Sequence, residues 1–173
     1  ACKNDSSIIR RIMMINPEDL AVLNQIPDRQ SKASKFLLEL PLIGTLVYNI
    51  LNSRPNIDLA FTEKYLHNPF HVDTELEDLY YESSHLENGA GKYLLASITG
   101  KYIYCNISHA LKTIDNSIYI LEGDSEPRAR ESVALYTSIY PAIESEMIKS
   151  TKHLPQIEAP EQVLEAVNIF FAS

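Results

Sequence analysis

His153-Leu-Pro-Gln-Ile-Glu-Ala-Pro-Glu-Gln-Val-Leu-Glu-Ala-Val-Asn-Ile-Phe-Phe171 sets one histidine in a short loop directly ahead of an amphipathic helix. Pro160 suits the first helical position, where its missing N–H costs nothing. Glu158 and Glu161 favour the positive end of the helix dipole, and Val163, Val167 and Phe170 recur at core-facing spacing. A histidine backed by a rigid element is well placed to act as a base.

Working back from this tail, three short runs read as strands. Ile8 to Ile15 is β-branched and ends at Asn16-Pro17; Ile118 to Leu121 is stopped by Glu122-Gly123-Asp124; Ile143 to Ile148 is weaker, because charges interrupt it. Between the first two lies a long stretch of helical pattern. Helices are expected near 31–40, 42–53, 58–66, 74–87 and 89–98, punctuated by Pro41, Pro55, Asn68-Pro69 and Asn88-Gly89. Further helices are expected from Ile107 to Ile114 and from Pro127 to Tyr140. Strands alternating with helices predict an α/β fold with a parallel sheet. Three strands leave open edges on such a sheet, so other polypeptide is expected to complete it, either a missing N-terminal half or a second copy.

The composition fits one packed domain: 173 residues, 45% hydrophobic and 22% charged. A formal net charge of −8 repels phosphate backbones, and no basic stripe interleaved with aromatics offsets it, so nucleic-acid binding is not expected. Cys2 and Cys105 are far apart and show no metal or disulfide spacing, which fits a reducing cytoplasm. The apolar run Phe36 to Leu51 is broken by Glu39, Pro41 and Gly44 and falls short of the roughly 20 residues a membrane span needs. His67, His71, His85 and His109 are scattered without ligand spacing, so no metal site is expected.

Carboxylates cluster where the strands end. Glu122, Asp124 and Glu126 follow the second strand and Glu18 and Asp19 follow the first, at the edge where parallel folds place ligands. A carboxylate and an imidazole on adjacent loops can pair, the acid fixing the ring tautomer while the ring takes a proton from a nucleophile. A strand ending in Gly123-Asp-Ser-Glu-Pro127, a helix and a strand, then His153-x-Pro-x-x-Glu-x-Pro-Glu161 and a closing helix, resembles the C-terminal part of the α/β-hydrolase superfamily.

The resemblance covers the whole chain and implies several assignments. Glu126 falls at the acid position and His153 at the histidine position. Asp124, and Asp19 or Glu18 after the first strand, are the alternative acids. Residues 1–27 and 106–173 correspond to the hydrolase core, 28–105 to a helical cap, and Ala1 to Asn4 to the tail of the helix after the nucleophile. The implied activity is serine-type hydrolysis of an ester or related small acyl substrate, without metal or organic cofactor. The acid is Glu where Asp is commoner, and Lys152 stands where Gly is frequent. No Gly-x-Ser-x-Gly elbow is present, and neither Ser97 nor Ser125 lies on a strand-to-helix turn. The nucleophile is therefore expected upstream of Ala1, the chain being the C-terminal segment of a longer enzyme. A non-catalytic module of the same fold, acting in binding or interaction, is the alternative reading. The region of the Phe36 to Leu51 run and Tyr80-Tyr81 is read as able to line an acyl or aromatic substrate pocket under the cap, while any single residue in it is expected to be ordinary cap packing.

Overall fold

The computed structural model describes residues 9–71, 74–86 and 89–172, which form two compact units. Ile8, Cys2 and the segment 1–4 lie outside the described residues, as do Asn88 and the far end of the expected helix at 74–87. The first unit joins the described residues up to Leu23 to Tyr65–Asn68 and to the chain from Asn106 onward. The second comprises Asn24–Lys64 and Pro69–Cys105.

Three parallel strands organise the first unit: β1 (Arg11–Ile15), β2 (Ser117–Gly123) and β3 (Glu144–Ile148), with β2 in the centre. Ile15 pairs with Leu121 and Ile148 with Gly123, so β2 and β3 run two residues past the end of β1. The helices of this unit are α1 (Leu20–Leu23), α7 (Ser108–Leu111), α8 (Ala129–Ile139), α9 (Pro155–Glu158) and α10 (Pro160–Ala172).

Strand alternation sorts the side chains into two layers. Ile118 and Ile120 of β2 point to one face, where they join Leu20, Leu111, Val133, Tyr136 and Ile143 in one cluster. Leu121 points to the other face, packed with Ile148 of β3 and with Val163 and Ala166 of α10. Phe170 is buried at the far end of the same helix. The core-facing spacing of the tail is thus the face that α10 lays on the sheet.

Two expectations change here. Strand β2 does not stop at Leu121; it carries Glu122 and Gly123 as well. The ladder continues because Gly123 N–H donates to the Asn16 Oδ1 at 2.9 Å and Asp124 N–H donates to the Ile148 carbonyl at 3.0 Å. Glu122 therefore has the same parity as Ile118 and Ile120 and points into the α8 layer. The helix expected from Ile107 to Ile114 is a single α-turn, Ser108–Leu111, started by the Asn106 carboxamide on Ser108 N–H at 2.9 Å. It ends because the chain must turn through Asp115 into β2, and β-branched Thr113 and Ile114 give little helical drive against that turn.

The second unit is all helical: α2 (Arg29–Glu39), α3 (Pro41–Leu51), α4 (Arg54–Ala60), α5 (Thr74–His85) and α6 (Gly91–Thr99). Asp28 starts α2 with a reciprocal capping box to Ser31, and Lys101 also pairs with Asp28. These contacts hold the Asp28 carboxyl at about 2, the Lys101 hydrogen bond being the largest cause. The stretch read as one helix at 58–66 is α4 followed by a π-turn, Phe61–Tyr65. Phe61 is buried within it and meets the Tyr80 ring edge-on, 4.8 Å between centroids.

No single helix among the described residues is long and apolar enough to cross a membrane; α2 and α3 reach that length and composition only as a pair bent by 95°. Much of the Phe36 to Leu51 run is exposed, with Phe36 at 63% and Leu42 at 86%.

Candidate active site

The functional candidates lie where the three strands end. The loop after β3 turns back through Ser150, which takes a left-handed backbone (φ 56°), and delivers His153 next to the loop after β2. His153 Nδ1 lies 3.6 Å from Glu126 Oε2, with the ring half exposed and the Glu126 side chain largely buried. Glu126 is positioned by a turn in which its N–H donates to the Gly123 carbonyl at 3.1 Å. With Nδ1 facing the acid, Nε2 is on the opposite side of the ring.

The loop that carries His153 is fastened at several points. The His153 N–H donates to the Tyr65 carbonyl at 3.0 Å, and the two rings stack obliquely, 5.5 Å between centroids. Lys152 N–H donates to Glu158 Oε2 at 2.8 Å, while Glu158 Oε1 accepts from His67 N–H at 2.8 Å and Asn68 N–H at 3.0 Å. Glu158 was expected to act on the dipole of the closing helix. Its carboxylate instead ties together two backbone segments, because three backbone N–H donors converge on it and charge-assisted bonds to N–H are the stronger interaction.

Asn16 is the residue that reading the sequence as a strand-ending turn overlooked. Its side chain joins all three loops: Oδ1 accepts from Gly123 N–H at 2.9 Å, and Nδ2 donates to the Lys152 carbonyl at 2.8 Å and the His153 carbonyl at 2.7 Å. Its backbone has φ 41°, a conformation that Asn adopts more readily than most residues. Asn16→Ala leaves one donor and two acceptors without their partner, and we expect it to destabilise the unit by about 2 kcal/mol, measured by urea unfolding.

The remaining acids serve other bonds. Asp124 is exposed and accepts the Ser125 hydroxyl at 3.0 Å. Asp19 caps α1 by accepting Ala21 N–H at 2.7 Å, and its other oxygen lies 3.3 Å from an Arg128 guanidinium nitrogen. Glu18 Oε1 accepts from Asp19 N–H at 3.2 Å, and the Glu18 carbonyl takes the Tyr136 hydroxyl at 2.8 Å. Among the described residues, Glu126 is the carboxylate whose oxygen approaches the His153 ring, Oε2 lying 3.6 Å from Nδ1. Ser97 and Ser125, weighed as nucleophiles, bond to the Tyr93 carbonyl and to Asp124.

A cleft of about 350 Å³ opens beside this pair, lined by Glu18, Asp19, Glu122, Glu126, Ser132 and His153 among others. Glu122 is 2% exposed. Burial, reinforced by the charge of Glu126, pushes its carboxyl up to about 7. A carboxyl raised in the folded state holds a proton that the unfolded chain has released, so its contribution to stability declines as pH rises from the ordinary carboxyl range to about 7. Burial also pushes the Tyr136 phenol up to about 12, and the charges of Glu122, Asp19 and Glu18 add to it. Strand parity was the signal that could have found Glu122, had the strand been extended by two residues.

No protein-family model and no curated protein matches the sequence. Solved structures do match. A serine hydrolase from the polyaromatic hydrocarbon-degrading bacterium Cycloclasticus zankles superposes with a TM-score of 0.67 at 10% identity, covering 99% of this chain and 58% of its own. A carboxylesterase from Bacillus subtilis gives 0.65 at 14% identity, covering 98% and 54%. An E-2-(acetamidomethylene)succinate hydrolase gives 0.61 at 11%, covering 100% and 61%. The chain has the α/β-hydrolase fold. Its parallel strands and the helical segment inserted between β1 and β2 correspond to the C-terminal portion of that fold. The chain spans between 54% and 61% of the length of these three hydrolase-fold proteins.

Proposed function

We propose that the full-length protein is a serine-type hydrolase of an ester or related small acyl substrate, with His153 and Glu126 as two members of its catalytic group. The observation that carries this reading is the approach of His153 Nδ1 to Glu126 Oε2 at 3.6 Å, on adjacent loops at the C-terminal end of a parallel sheet. Glu126 holds the proton on Nδ1 and leaves the lone pair on Nε2. A serine outside this chain gives its proton to Nε2 as its oxygen bonds to the acyl carbon; the imidazolium then protonates the departing alkoxide, and water repeats the sequence to release the acid.

The fold alone is compatible with many chemistries, so the reading rests on the site. Two further features belong to it as proposals. Substrate choice depends on the inserted helical segment, and the outer edge of β1, which has no partner strand among the described residues and is mostly half buried, takes a strand from other polypeptide, by which the sheet is completed.

The test is turnover of short p-nitrophenyl esters by the full-length protein. Glu126→Gln keeps the shape of the acid and removes its charge, and kcat is expected to fall about 10²-fold with KM little changed. Unaltered kcat in Glu126→Gln would remove Glu126 from the group, and no turnover of any acyl ester would remove the reaction.

A further inference from the structure

Glu122 has no part in the reaction as derived, yet among the described residues it is the charged side chain of the first unit that is buried. It is 2% exposed, and its Oε1 has no hydrogen-bond partner among the described residues. Three other buried oxygens share that condition among the described residues: Asn116 Oδ1, away from this cleft, and Glu126 Oε2 and Ser132 Oγ, whose residues line it together with Glu122. Glu126 Oε2 is also the atom that faces His153. A buried carboxylate oxygen without a donor is disfavoured when charged, and two carboxyl groups lining one cleft, each with such an oxygen, do not both stay charged cheaply.

Resting on the His153–Glu126 reading, we propose that Glu122 is a positioning residue acting through Glu126: the two carboxyl groups hold a single proton, which keeps Glu122 neutral while Glu126 stays charged opposite His153. The division follows from surroundings. Glu126 has the imidazole beside it, whereas Glu122 sits on β2 under α8, among Ala129, Ser132 and Tyr136. Its elevated carboxyl value accords with this. The other titratable or charged groups on the cleft do not supply a counter-charge to Glu122. Arg128 is committed to Asp19 and Glu131, Glu18 and Asp19 bond to backbone N–H groups, and Tyr136 donates to a carbonyl.

The consequence is a pH dependence that a packing role would not give. When Glu122 loses its proton, a second negative charge stands near His153 and favours the imidazolium, which cannot act as base. The acid limb of kcat/KM is then set by a coupled group and not by the histidine alone.

The experiment uses the full-length protein and two readouts. In the first, the pH profile of kcat/KM is compared between wild type and Glu122→Gln, which keeps the volume and fixes the side chain neutral; the acid limb is expected to move down by about 0.5–1 pH unit. In the second, the Glu122 carboxyl carbon is titrated by NMR in wild type and in Glu126→Gln. A midpoint near 7 that drops by about half a unit or more when Glu126 loses its charge supports the shared proton. An unmoved acid limb, or a Glu122 carboxyl titrating in the ordinary range in wild type, overturns it. If the protein shows no His153-dependent turnover, the hydrolase reading fails and the NMR titration decides the shared proton by itself. Should Glu122→Gln not fold, the comparison of wild type with Glu126→Gln gives the same decision.

Discussion

His153→Ala in the full-length protein is expected to lower kcat roughly 10³-fold or more on acyl esters, with KM changed little. The magnitude follows from what the ring does in the proposed reaction. Without it, nothing takes the proton of the attacking hydroxyl, and nothing returns one to the leaving alkoxide. Both steps then fall to water, while binding and any oxyanion stabilisation remain and keep a residual rate. His153 is half exposed, and its loop is held by a backbone bond to Tyr65 and by the Asn16 side chain, so the truncation should leave the fold intact. Circular dichroism and thermal unfolding of the variant check that point separately. Turnover within a fewfold of wild type would end the assignment of His153 as base.

How far the sequence could show this depended on which contacts are local. The closing helix α10 announces itself through Pro160 and the recurrence of Val163 and Phe170, because period and capping are properties of neighbouring residues. The strands β1 and β2 are short β-branched runs, and their parallel pairing follows from the helices between them. The approach of Glu126 to His153 is non-local; loops at one sheet edge point to a carboxylate meeting the imidazole, and the resemblance of two loop motifs singles out Glu126 among the acids there. Asn16, Glu122 and Glu158 show the limit. Asn16 next to Pro17 looks like punctuation, and its three bonds reach residues more than a hundred positions away. Glu158 sits before a helix, where an acid has a ready local explanation, yet its partners are His67, Asn68 and Lys152. Glu122 precedes Gly123-Asp124, a pair that reads as a turn; the strand persists through it because the ends of β1 and β3 supply partners that composition does not reveal.

Gly123→Ala is expected to damage both stability and catalysis, and the reason is a single close approach. A Cβ at Gly123 would stand 2.0 Å from the Lys152 carbonyl oxygen and 2.7 Å from that of Thr151. Both obstacles are backbone, so no side chain can swing aside. Either the loop after β3 moves away or the end of β2 does. The first breaks the Asn16 bonds to Lys152 and His153 and the Ser125 N–H bond to the Thr151 carbonyl; the second breaks the Gly123 N–H bond to Asn16. Overpacking a side chain in a core costs about 1–3 kcal/mol, and backbone with no room to yield lies at or above the upper end of that range. We therefore expect about 3 kcal/mol or more of lost stability by urea unfolding. A displacement of about 1 Å at His153 can also cost on the order of 10²-fold in kcat. The two losses have one origin and should appear together. Gly123→Ser carries the same Cβ and should behave alike, whereas Asp124→Ala, one residue on at an exposed position, should change stability by less than about 0.5 kcal/mol. A Gly123→Ala protein as stable as wild type would mean that the β3 loop can stand off from β2, and then the 3.6 Å approach of His153 to Glu126 would not be fixed by the sheet.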